Sequence, residues 1–146
     1  MGRYLRSNGL REGIARALLP ALLAYAAASL FHHVHNATYL SAYPNLPAWL
    51  TPAGVYLAWA LVTAVGALGY FMLRRGRARA GLILLCGYAG LGLTGLDHYT
   101  RAPLAAHTRM MNLSIGGEAV TAVVLLVVAA TNLWALRRRA PALPGC

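Results

Sequence analysis

Four long apolar stretches divide the chain, Ile14 to Phe31, Ala53 to Leu73, Ala80 to Leu96 and Leu113 to Leu136, with polar and arginine-rich residues gathered between them. Each is close to the roughly 20 residues a helix needs to cross hydrocarbon. Leu, Ala, Val and Gly follow one another without the period-two alternation of barrel strands, which would need only about 10 residues each. The pattern predicts an all-α, antiparallel bundle of four transmembrane helices in one domain, with spans at about 14–36, 53–73, 80–98 and 110–136. Two longer loops, about 37–52 and 99–109, join them at one end.

Composition agrees, since 59% hydrophobic and 11% charged residues make too apolar a chain for a soluble domain of 146 residues. Lysine is absent and the thirteen arginines are lopsided. Arg3, Arg6, Arg11 and Arg16 precede or open the first run, Arg74, Arg75, Arg77 and Arg79 fill the middle connection, and Arg137, Arg138 and Arg139 follow the fourth; only Arg101 and Arg109 lie opposite. The positive-inside rule then predicts both termini in the cytoplasm. Because the arginines flank helix ends, the net charge of +10 reads as topology and contact with anionic lipid, not as a nucleic-acid surface. The lysine-free, Ala- and Arg-rich composition suggests a GC-rich bacterial genome and a bacterial cytoplasmic membrane.

Arginines followed by an apolar run ending in Ala26, Ala27 and Ala28 resemble a signal peptide; we expect the segment to be retained as the first span. Cys86 and Cys146 make no disulfide framework. The sequons at Asn36 and Asn112 hug the predicted membrane border and carry little weight. Pro44, Pro47 and Pro52, with Tyr39, Tyr43 and Trp49, resist regular helix in the first long loop and suit a headgroup interface across the bundle's mouth.

The candidate chemistry lies in the ionisable residues. All five histidines, His32, His33, His35, His98 and His107, map to the predicted outer half, as do Asp97 and Glu118. Glu118 falls inside the fourth span, where an acid costs a few kcal/mol unless protonated or paired. His32 and His35, spaced i, i+3, would share a helix face with Asn36 close by, and His33 would point elsewhere. On the fourth helix Met111, Ser114, Ile115 and Glu118 form one stripe. Gly87, Gly90, Gly92 and Gly95 on the third would let helices approach closely and draw His98 inward.

His32, His35, His98 and Glu118 therefore form a candidate set of three imidazoles and a carboxylate for zinc, iron or copper, with Asp97, Asn36 or His107 as alternates. Neutral imidazoles supply lone pairs, and the cation cancels the intramembrane anion. The evidence is positional, since no established metal motif occurs; single interfacial histidines are more often headgroup neighbours, and Met110 and Met111 more often packing residues than copper ligands.

Three other readings use the same residues. Haem b would take His32 or His35 with His98 as axial ligands across the glycine-rich third helix. A metal-free enzyme would use Glu118 and a histidine such as His98 for acid/base work on a lipophilic substrate, with the aromatic loop as a lid. A structural or accessory subunit would use the polar cluster to hold helix ends, dock a partner or form a homo-oligomer.

Overall fold

The computed structural model describes the backbone of residues 2–138 and the side chains of residues 13–138. The side chains of Arg3, Arg6, Arg11 and Glu12, and the whole of Arg139 to Cys146, lie outside the described residues.

Five α-helices make up the fold: α1 (Gly2–Thr38), α2 (Pro52–Arg74), α3 (Ala78–Gly92), the short α4 (His98–Arg101) and α5 (Arg109–Arg138). A 3₁₀ segment, Leu93–Asp97, joins α3 to α4 without a break in direction, so the pair runs as one span. Among the described residues there are thus four helical stretches long and apolar enough to cross a membrane, of 26, 23, 24 and 30 residues. Among the described residues there is no strand.

Local chemistry sets the ends. Thr51 caps α2 by accepting from the Gly54 amide, with Pro52 at the first helical position, where its missing N–H costs nothing. Gly76, at φ 85°, takes the left-handed conformation that turns α2 into α3. At the other end Pro103 follows α4, and Asn45, at φ 56°, donates to the Arg101 carbonyl, tying the first long loop to the second.

The helices pack in a ring, α1 on α2 and α5, α3 on α2 and α5, with α1 and α3 nearly out of reach across the diagonal. The centre holds Leu18, Tyr25, Leu82, Leu85, Ala89, Ala122, Leu125 and Ala129, all fully buried. Large apolar side chains also cover the outside: Leu23, Leu57, Leu61, Leu113 and Val120 are each 59% exposed or more. A surface of that kind is what a lipid-facing helix presents. Lipid would supply no hydrophobic drive between helices, and close packing of small residues would then have to hold them. Gly81 does this for α2 and α3: a Cβ there would stand 2.6 Å from the Gly69 carbonyl oxygen and 2.7 Å from the Leu73 amide nitrogen. Gly66 likewise receives the Tyr88 ring. Gly87 and Gly90, expected to bring helices together, have open space beside them; Gly92 and Gly95 do face neighbours.

Two ends result, an arginine end with the α2–α3 turn and a long-loop end with residues 39–51 and 102–108.

Candidate functional site, a carboxylate and histidine cluster in the long-loop half

Glu118 lies on the buried stripe of α5 with Met111, Ser114 and Ile115, and is 2% exposed. Its carboxyl group points across the bundle toward α1 and α3. Gly95 makes the room, since a Cβ there would stand 3.1 Å from Glu118 Oε2 and 3.9 Å from His32 Nε2.

Two histidines of α1 reach the carboxyl group. His32 Nε2 is 3.7 Å from Oε2, and His33 Nδ1 is 3.9 Å from Oε1. His33, expected to point elsewhere, thus contacts Glu118, and His35 does not join it. At about 100° per residue, Tyr25, Ser29, His32, His33 and Asn36 form one stripe of α1, and His35 lies about 100° from its middle. His35 instead meets the hydroxyl of Tyr43 at 2.9 Å and packs on Phe31 and Tyr39.

The hydrogen bonds fix where the protons sit. Ser114 Oγ spends its one hydrogen on the Met111 carbonyl at 2.9 Å, so at 3.3 Å it can only accept from His32 Nδ1. In a neutral His32 the nitrogen facing Glu118 is then a bare lone pair. A proton on the carboxyl group or on the imidazole would turn these two facing acceptors into a donor and an acceptor. His33 Nδ1 donates to the Ser29 carbonyl at 2.9 Å, which fixes its tautomer in the same way.

His98 closes the cluster toward the long loops. Its ring lies 5.5 Å from that of His32, centroid to centroid, and its Nε2 accepts from the Asn36 amide at 3.3 Å. Neutral His98 then carries its hydrogen on Nδ1, which is buried without a partner, as is Asn36 Oδ1. His107 donates from Nδ1 to the Pro103 carbonyl at 3.1 Å and leaves Nε2 buried and unpartnered. Its ring is 6.2 Å from His98, and it belongs to the loop before α5, not to the helix. Asp97 is exposed.

The metal set expected from the sequence is therefore not assembled. His35 is turned away, and among the described residues no group of three or more His, Cys, Asp and Glu is arranged to hold a metal ion. What the fold assembles is a cavity of about 200 Å³ lined by Tyr25, His32, His33, Asn36, His98 and Glu118, with apolar residues of α2 and α3 on its remaining side.

Compared with known proteins, the chain matches no family model, no curated protein and no solved structure.

Two residues missed in the sequence complete the site. Tyr43, 3% exposed, is the plug of the mouth, its ring 4.9 Å from His98. Burial pushes its hydroxyl pKa up, so it keeps its proton at neutral pH. Tyr25 forms the floor, donating to the Tyr88 carbonyl at 3.3 Å. The prolines and aromatics of the first long loop signalled a cover over the mouth, but nothing in them singled out Tyr43.

Proposed function

We propose that the chain is an integral membrane protein, with both termini and the α2–α3 turn in the cytoplasm, whose Glu118–His32 pair exchanges one proton in acid/base work on a small polar group of a lipophilic substrate. Orientation rests on arginine: eleven of thirteen fall at one end of the bundle's sequence pattern. The chemistry rests on one observation, His32 Nε2 held 3.7 Å from a buried carboxyl oxygen of Glu118. That gap is longer than a hydrogen bond, as catalytic pairs often are before substrate tightens them.

Metal-free chemistry fits this geometry better than the alternatives. The His32 and His98 rings stand edge to face at 76°, which leaves no flat slot for a macrocycle between them. The cavity, at about 200 Å³, is also below the roughly 300–1,000 Å³ of ordinary cofactor pockets.

Infrared titration in lipid nanodiscs tests the reading, with the Glu118 carboxyl band assigned by difference from Glu118→Gln. We expect a band whose titration shifts in His32→Ala and His33→Ala. A carboxylate that never protonates, accompanied by stoichiometric zinc, iron or copper on elemental analysis or by a Soret band, would overturn it.

A further inference from the structure

The route into the cavity follows from how α2 and α3 separate. At the arginine end they are clamped at Gly66, Gly69 and Gly81. Toward the long loops the clamp ends: none of the α2 residues between Val55 and Gly66 is buried. On the other wall Leu91 of α3 is 42% exposed, and Thr94, in the 3₁₀ segment that follows, is exposed too. These walls line the cavity, Ala58 and Val62 on one side and Leu91 and Thr94 on the other. His33, with a side chain 19% exposed, is less enclosed than His32 at 3%. Toward the long loops, by contrast, Asn36 and His98 are joined to each other, both at least 92% buried, and covered by Tyr43.

Resting on the acid/base reading above, we propose that the cavity is entered sideways, between α2 and α3, by the head group of a single-chain amphiphile whose tail stays in the lipid against Leu57, Leu61 and Leu91. Volume sets the size of the head: about 200 Å³ holds some six or seven groups the size of a water, each taking about 30 Å³ in the liquid. The tail has no room inside. The lining sets the chemistry. Glu118 and the unpartnered Asn36 Oδ1 are acceptors, His98 Nδ1–H is a neutral donor without a partner, and among the described residues no arginine lines the cavity. A phosphate or carboxylate head would be buried beside Glu118 with no fixed cation, so the head is a hydrogen-bond donor, a hydroxyl, amine or amide.

Photocrosslinking of the full chain in nanodiscs tests this with a fatty alcohol carrying a diazirine beside its hydroxyl. We expect adducts concentrated around Ala58 and Val62 of α2, Leu91 of α3 and Thr94 of the 3₁₀ segment, and a fatty acid probe of the same length labelling them severalfold less. Ala58→Trp should lower labelling at Leu91 and Thr94 severalfold and leave labelling of the groove between Phe31 and Met110 on the opposite face unchanged. If that variant does not fold, Thr94→Phe serves the same purpose, and the adduct map of the native chain needs no variant. Labelling spread evenly over lipid-facing positions such as Leu113 and Val120, or concentrated at Pro47 and Trp49 in the first long loop, overturns the portal. Its failure is distinct from failure of the acid/base reading: a titrating Glu118 band without portal adducts removes the portal alone, and portal adducts without a titrating band remove the chemistry alone.

Discussion

Replacing Gly81 by alanine adds one methyl group where α2 and α3 touch backbone to backbone. That methyl carbon would stand 2.6 Å from the Gly69 oxygen, 2.7 Å from the Leu73 nitrogen and 3.0 Å from the Leu73 Cα, where ordinary contact begins at 3.4 Å. The helices must part by about 0.8 Å to restore it, because none of the three atoms is the end of a side chain that can swing away. Forcing a methyl group into a filled contact costs roughly 1–3 kcal/mol. The gain in backbone order on leaving glycine returns about 0.5–1 kcal/mol, for a net loss of about 1 kcal/mol at the middle of both ranges and up to about 2.5 kcal/mol. Gly90→Ala is the matched control on the same helix, since its Cβ meets nothing within 4 Å, and it should gain the 0.5–1 kcal/mol alone, by the same approximate figure. Thermal unfolding in detergent, followed by far-ultraviolet circular dichroism, should therefore move in opposite directions for the two variants, by a few degrees per kcal/mol. A Gly81→Ala protein as stable as the native one, or a Gly90→Ala protein that loses as much, would refute the argument that this contact clamps the hairpin.

Further expectations concern the cluster. His35→Ala should leave the Glu118 infrared band where it is, whereas His33→Ala shifts it; the opposite ranking would restore the grouping of His32 with His35. Gly95→Leu places its side chain against the Glu118 and His32 polar atoms, and should abolish proton exchange at neutral pH while helical content is retained; an unchanged infrared titration would show that the space beside Gly95 is not used. Tyr43→Phe removes one hydrogen bond to His35, worth about 1 kcal/mol, measured as a lower unfolding midpoint at neutral pH. Because the folded pKa of Tyr43 is raised above the ordinary 10.0, the stability linked to its proton is complete below pH 10.0 and declines as pH rises through the folded pKa. The phenylalanine variant should lose less stability than the native chain over that alkaline range, and an identical alkaline profile would count against burial of this hydroxyl.

Much of the architecture was legible because lipid-scale helices leave a coarse mark. The four apolar runs coincide with the four long helical stretches, which extend a few residues past the expected ends, to Thr38, Arg74, Arg101 and Arg138. The stripe from Met111 to Glu118 was legible too, since α5 is regular α-helix throughout and the 3.6-residue period holds. Side-chain direction was harder where angles mattered. Pairing His32 with His35 used a permitted spacing, but the stripe that faces Glu118 is centred on the other side of His32. For His98 the period itself changes: Leu93–Asp97 is 3₁₀, at 3.0 residues per turn. Five residues at about 120° instead of 100° accumulate roughly 100°, so extrapolating an α-helix from Gly92 misplaces His98 by more than a quarter turn. Glycines were misjudged for a similar reason, since count and spacing on α3 cannot tell Gly81, against a neighbouring backbone, from Gly87 and Gly90, which face outward.

Beneath Tyr25 the core is built mostly of hydrocarbon, from Leu82 and Leu85 through Leu125 to Leu18 and Ala129, with Tyr88, Tyr70 and Cys86 beside it. In a bilayer that layer acts as an electrical insulator. A proton leaving Glu118 meets no carboxylate or imidazole among the described side chains on that side, which favours return by the way it came. Chemistry at the cluster would then run without short-circuiting the membrane potential, and its proton balance would follow the compartment facing the long loops, independent of the pH around the arginines.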